Sequence, residues 1–232
     1  MKYIGPDFCN ITSLLNDEEL LIQKTANTFV QKKFLPIINE YYDKGTFPTD
    51  LIPEMGELGF FGSTLPKEFG GNEISNIAYG LIMHELEKGD SGLRSLCSVQ
   101  SCLVMYPIFQ YGTDEQKKKW LPKIASGEIL PTAVFSEPNT GSDLGSLKTR
   151  AVKEGNVYKI TGNKTWITHG ARTDIMTMMV RTNPNEKGYK GLSIILAEKP
   201  RGTDKEPFPA KGMSGSEIEV LGYRGMKEYE IA

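Results

Sequence analysis

The chain is short of the residues that carry metal, redox and long-range electrostatic chemistry. Three cysteines, Cys9, Cys97 and Cys102, stand among 232 residues. They form no CxxC pair and no metal-ligand spacing, which excludes a disulfide scaffold and a zinc ribbon and favours a reducing compartment. Two histidines, His84 and His169, are too few for a His-rich metal centre, so no metal is expected. Charge of one sign is missing too. With 27 Lys and Arg against 29 Asp and Glu, the net charge of -2 gives no long-range pull towards nucleic acid or an anionic membrane. No apolar run reaches the ~20 residues of a membrane-spanning helix. The opening residues, Met1, Lys2, Tyr3, Ile4, Gly5, Pro6 and Asp7, lack a secretory signal core and the Arg-rich character of a transit peptide. A cytoplasmic protein with neither nucleic-acid nor membrane partners is expected.

What is present is ordinary globular material, 39% hydrophobic and 24% charged, in a chain long enough to bury a sizeable core. Its hydrophobic period changes near residue 130. Before that point the pattern is helical. Asn16 and Glu19 have the spacing of a capping box at the head of a first helix that Pro36 should kink. A short helix follows around Leu51 to Leu58, and Ser75 can cap the next. The nearly uncharged segment from Ser91 to Gln110 reads as a helix buried on most sides, with Cys97 and Cys102 as packing residues. Thr113 and Gln116 open a fifth helix. Beyond Gly127 come short β-prone runs: Thr132 to Phe135, Val157 to Thr161, Lys164 to Thr168, Ile175 to Arg181, Gly191 to Ala197 and Glu217 to Tyr223. Gly162 and Asn163 between two of them read as a tight hairpin turn. The expectation is an α+β chain: an N-terminal α-helical domain over 1–128, then a small antiparallel β-barrel or sandwich over 129–232.

Two polar stretches stand out in the β half. One is Phe135 Ser136 Glu137 Pro138 Asn139 Thr140 Gly141 Ser142 Asp143, the other Lys164 Thr165 Trp166 Ile167 Thr168. Small-residue turns with hydroxyls and an indole can offer hydrogen bonds and a stacking face to a flat heteroaromatic such as a flavin. On the residues alone, Trp166 is as well explained as a core aromatic. In the helical half Arg94 is chemically odd, because a guanidinium in an apolar helix must find an anion, a dipole or solvent. Asp90, Glu85 or Glu87 could pair with it. Glu137 could be taken for a base, its plainer reading being a loop hydrogen-bonding residue; His169 reads as a surface residue, and Met176, Met178 and Met179 as packing.

Together with Tyr111 Gly112 Thr113 Asp114 Glu115 Gln116 and Lys119 Trp120 Leu121 Pro122, these motifs resemble the N-terminal and middle domains of the flavin-dependent acyl-CoA dehydrogenases, in order and over nearly the whole chain. The Arg94 and Ser95 stretch is most similar to glutaryl-CoA dehydrogenases, whereas 214–228 resembles a different branch. The resemblance implies FAD as cofactor, contacted by Ala133, Val134, Phe135, Ser136, Gly141 and Ser142 and by Trp166, Ile167 and Thr168. It implies an acyl-CoA substrate met by Arg94, Ser95 and Ser142, with Arg94 facing a distal carboxylate. The implied reaction is α,β-dehydrogenation of the thioester to the 2-enoyl-CoA. Electron-transfer flavoprotein would be the electron acceptor, and the assembly a tetramer or dimer. The family's catalytic base is a glutamate on a C-terminal helical bundle, expected beyond Ala232, so no catalytic residue is assigned within the chain and poor FAD retention is expected. A non-catalytic flavin or acyl-CoA binding module, an acyl-CoA oxidase and a flavin monooxygenase are the alternatives.

Overall fold

A computed structural model describes residues 7–203 and 205–232. Residues 1–6, where no targeting segment was read, lie outside the described part, as does position 204. No helix among the described residues is long and apolar enough to cross a membrane.

The first helix, α1 (Asp17–Phe29), starts where the capping pair places it. The Asn16 side chain accepts from the Glu19 amide at 2.9 Å, and the Glu19 carboxylate accepts from the Asn16 amide at 3.1 Å. Glu19 also accepts from the Ser75 hydroxyl, so this cap ties α1 to the head of α4 (Asn76–Gly89), which Ser75 itself caps. Removing the cap with Asn16→Ala is expected to lower stability by about 1 kcal/mol, read as a shift in the urea midpoint at unchanged slope.

Pro36 does more than kink the helix. The chain widens into a π-helical turn over Val30–Phe34, closed by the Leu35 amide on the Val30 carbonyl, and resumes as α2 (Ile38–Lys44). The short helix is α3 (Ile52–Glu57). The apolar Ser91 to Gln110 segment is helical throughout, as α5 (Ser91–Ser98), a π-helical stretch Val99–Met105 and α6 (Tyr106–Tyr111), with Pro107 just after the π-helical stretch. Leu93, Leu96, Val104 and Met105 are fully buried within it. Cys97 packs as expected, but Cys102 is exposed, with its thiol against the Tyr79 hydroxyl. The last helix, α7 (Asp114–Ala125), carries the second capping box.

The chain is α+β as expected, helical over its first half and sheet-forming over its second, and what departs from the expectation in the β half is the closed barrel and the purely antiparallel pairing. Its strands are β1 (Pro131–Val134), β2 (Arg150–Glu154), β3 (Val157–Thr161), β4 (Lys164–Thr168), β5 (Ile175–Arg181), β6 (Leu192–Glu198), β7 (Gly215–Ile218) and β8 (Glu228–Ile231). They make two sheets and no closed barrel. One is mixed: β5 pairs antiparallel with β6 but parallel with β1 and, at its end, with β2. The other is β4-β8-β7. The central place of β5 explains its near-continuous apolar run, since both faces are covered.

The Gly162 Asn163 hairpin does not form. The strand before it pairs with β2 around a Gly155 Asn156 turn, and the strand after it crosses to β8. Gly162 is a crossing point between sheets. At φ +159° a Cβ there would stand 2.7 Å from the Thr149 Cα. The run read as Glu217 to Tyr223 ends as a strand at Ile218, and the chain loops back to form β8.

Candidate functional site

The two polar stretches lie side by side. The Thr165 amide donates to the Ser136 carbonyl at 3.0 Å, and the Thr132 hydroxyl donates to the Thr168 carbonyl at 2.8 Å. Beneath them Lys164 is buried, with its ammonium donating to the carbonyls of Phe135 and Met179 at 2.8 Å and to Glu137 at 3.3 Å. Glu137 also accepts from the Lys148 and Thr149 amides at 2.7 Å. It is a loop anchor, as its sequence context suggested. Burial pushes its carboxyl up, but the donors from Thr149 and Lys148 and the Lys164 charge outweigh that and leave it below the usual value. Reciprocal backbone bonds between Glu137 and Thr140 close the turn. Arg181 holds the following segment through the carbonyls of Gly145 and Leu147.

Above this anchored base runs an accessible strip. Ala133, Phe135, Ser136 and Thr168 are half-buried, Gly141 and Ser142 are exposed at its end, and Trp166 is 58% exposed. The side chains of Val134 and Ile167 point into the core, so those two positions can meet a ligand only through backbone atoms. Trp166 is not a core aromatic. It sits at an extra residue in β4, where the pairing with β8 slips between Lys164 and Ile167, and its φ is +57°. A bulky residue in the left-handed region is strained, and such strain concentrates at functional sites. The bulge leaves the indole exposed on the strand that pairs with the Ser136 turn through Thr165, and an exposed indole with half-buried hydroxyls on the same two segments can take a flat aromatic ligand with polar edges.

His169 is not at the surface. It is 1% exposed, and burial, reinforced by the Arg172 charge, pushes its imidazole down to about 3, so the ring is uncharged. Its amide donates to the Lys227 carbonyl at 2.8 Å, which stitches the end of β4 to the loop before β8.

At the head of α5, Arg94 has the structural partner that the sequence left open: its Nε donates to Glu87 at 2.7 Å and a terminal nitrogen to Ser98 at 3.2 Å. Ser95 is buried and shares a short hydrogen bond with the Tyr223 hydroxyl. Tyr223 also reaches Thr168, and the Thr168 hydroxyl donates to Glu228 at 2.9 Å. The candidate acyl-pocket residue Ser95 and the candidate flavin residue Thr168 thus both adjoin Tyr223, and Thr168 in turn holds Glu228; the sequence reading singled out neither Tyr223 nor Glu228.

Residues 16–128 match the model of the acyl-CoA dehydrogenase N-terminal domain, and residues 132–232 that of the middle domain. The chain is 51% identical over 217 residues to a (2S)-methylsuccinyl-CoA dehydrogenase of Cereibacter sphaeroides, an overlap covering 93% of this chain and 39% of that protein. It is 33% identical over 211 residues to a glutaryl-CoA dehydrogenase of Desulfococcus multivorans, covering 90% and 52% respectively. A crystal structure of a glutaryl-CoA dehydrogenase from Mycobacterium smegmatis in complex with FADH2 superposes with a TM-score of 0.86 at 31% identity, over 97% of this chain and 54% of that one. The chain therefore spans between 39% and 54% of the length of these relatives. Matched over both of its halves by models of one family, and in fold by that family's solved structures, the chain belongs to the acyl-CoA dehydrogenases.

Proposed function

We propose that this chain forms the flavin face and part of the acyl pocket of an FAD-dependent enzyme that oxidises an acyl-CoA thioester to its 2-enoyl-CoA. The observation that carries this reading is the Thr165 to Ser136 backbone bond, which sets the two polar stretches next to each other with Trp166 turned outward. When bound there, the flavin supplies the acceptor for the hydride from the β-carbon. The residues of this chain hold and orient it: Ala133, Val134, Phe135, Ser136, Gly141, Ser142, Ile167 and Thr168 by backbone and hydroxyl groups, Trp166 by its ring face. In this reading residues 1–128 bring Arg94 and Ser95 to the acyl group, and residues 129–232 carry the flavin. Ser142, which is exposed, meets the thioester in the same reading. The base that removes the α-proton is not assigned to any residue of this chain. Electron-transfer flavoprotein as electron acceptor and a homo-oligomeric, cytoplasmic protein complete the proposal.

The two relatives in sequence are named for acyl-CoA substrates that carry a second carboxylate. A short dicarboxylic acyl-CoA, its far carboxylate met by Arg94, is the substrate class proposed. Arg94 is partly solvated and already paired with Glu87, so the discrimination it adds is modest. Arg94→Ala is expected to lower kcat/KM for methylsuccinyl-CoA or glutaryl-CoA by about three- to tenfold, the roughly 0.5–1.5 kcal/mol net worth of one ordinary hydrogen bond, and to leave butyryl-CoA unchanged. Equal losses on both kinds of substrate would remove the carboxylate role. Bleaching of the bound flavin absorbance on adding the acyl-CoA tests the reaction itself; a bound flavin that no acyl-CoA reduces would favour a non-catalytic binding module.

A further inference from the structure

The loop 219–227 delivers a carboxylate beneath the Thr168 end of β4 that the proposed chemistry does not use. Glu228 stands directly across from Thr168 in the β4–β8 pairing and across from Ile218 in β7. It is 8% exposed. One oxygen accepts the Thr168 hydroxyl proton at 2.9 Å, and the other is buried with no hydrogen-bond partner among the described residues. Tyr223, held to Ser95 on α5, is the neighbouring titratable group. Among the described residues no basic side chain is bonded to Glu228: the Lys227 ammonium donates to Glu217 at 3.0 Å, Arg94 to Glu87 at 2.7 Å, and His169 is uncharged.

We propose that Glu228 is a positioning residue for the flavin edge, deciding whether the Thr168 hydroxyl offers a proton or a lone pair, so that Glu228 exchanges its own proton against reduction of the ring. This rests on the reading that a flavin lies against Thr168. A threonine hydroxyl has a single proton to give. While it goes to an ionised Glu228, the oxygen presents only lone pairs to the ligand strip. A neutral Glu228 carboxyl can instead donate to the Thr168 oxygen and turn the hydroxyl proton outward. The hydride-accepting nitrogen of a flavin is a bare acceptor when oxidised and an N–H donor when reduced. The oxidised ring therefore selects neutral Glu228 and the reduced ring selects the carboxylate. Burial already pushes the Glu228 carboxyl above its usual value, opposed by the Thr168 bond, so the neutral form is accessible.

The proton balance follows. Two-electron reduction places one proton on the ring nitrogen. At pH values between the two pKa values of Glu228, in the oxidised and the reduced protein, that gain is matched by the proton Glu228 releases to water, and no net proton is taken up. Outside that interval one proton is taken up per two electrons. The reduction potential of the protein-bound flavin, measured by spectroelectrochemistry across the pH range in which the protein stays folded, is expected to show a plateau in the wild type. The plateau should be lost in both Glu228→Gln and Thr168→Val, which then follow one unbroken slope. A wild type without a plateau, or a plateau that survives in either variant, overturns the proposal. Should Glu228→Gln fail to fold, Thr168→Val, which removes only the hydroxyl, decides by the same criterion. Bound flavin with superimposed pH lines removes this inference alone, whereas a wild type that takes up no flavin removes the functional reading and this inference with it.

Discussion

Glu137→Ala is expected to lower stability by about 3–5 kcal/mol and to abolish flavin uptake. Both effects come from one charge. Lys164 is 3% exposed in its side chain and Glu137 8%, so removing the carboxylate leaves a buried ammonium with only carbonyl partners and orphans the Lys148 and Thr149 amides. The turn that Glu137 closes with Thr140 then loses its anchor, and the Ser136 carbonyl its fixed position beside Thr165. Guanidinium unfolding measures the first effect, and a flavin absorbance titration the second. The double variant Glu137→Leu with Lys164→Met, which buries no charge, should recover much of the stability without recovering flavin affinity, because the turn is still unanchored. The same pair sets an acid limit. The carboxyl of Glu137 is lowered from 4.5 in the folded state, so its contribution is complete above about 4.5, the unfolded value, and is lost as pH falls through the lower folded value. Stability that does not decline on that side would show that Glu137 is not held as described.

Trp166→Gly should separate stability from binding. At φ +57° the tryptophan pays left-handed strain of roughly 1–2 kcal/mol, and at 58% exposure it buries little. Glycine removes the strain and adds roughly 0.5–1 kcal/mol of chain entropy cost, so the unfolding midpoint should stay where it is or rise. Flavin affinity should nevertheless fall by about 5- to 150-fold, the range that corresponds to 1–3 kcal/mol and to the loss of one aromatic face from a stacked heterocycle. A residue kept for packing would give the reverse: lost stability and unchanged affinity. The two outcomes are distinguished by pairing a thermal melt of the flavin-free protein with a titration.

The features legible in the sequence are those decided within a few residues. Asn16 with Glu19 and Thr113 with Gln116 announce their helices because the cap and the third residue bond each other whatever the rest of the chain does. The two polar stretches stood out for a similar reason, because hydroxyls and small residues in turns advertise hydrogen bonding locally, and the structure sets them side by side. What failed depended on distant partners. Gly162 Asn163 has the look of a hairpin, but β3 already pairs with β2 and β4 pairs with β8 in the other sheet, where carbonyls of Phe135 and Met179 and the Glu137 carboxylate offset the burial of the Lys164 ammonium. The parallel pairing of β1 with β5 leaves no local mark on four residues. His169 is polar, yet the loop before β8 covers it. Glu228 was hidden by alternation: Tyr229 and Ile231 are buried, and Glu230 is exposed as alternation requires. Glu228 should share that outer face, but Tyr223 folds back over it from a loop whose other contact, Ser95, lies on a helix of the first half.

The central claim is that a flavin lies between the Ser136 turn and the Trp166 bulge, and the indole fluorescence of Trp166 tests it most directly. Trp120 is the second of two tryptophans, so in the Trp120→Phe protein Trp166 is the sole indole. Titration with FAD should quench its emission saturably and in step with the change in flavin absorbance, because the proposed site puts the ring in contact with the indole. Flavin that binds, by its absorbance, while the Trp166 emission stays unchanged would place the ring elsewhere and contradict the site.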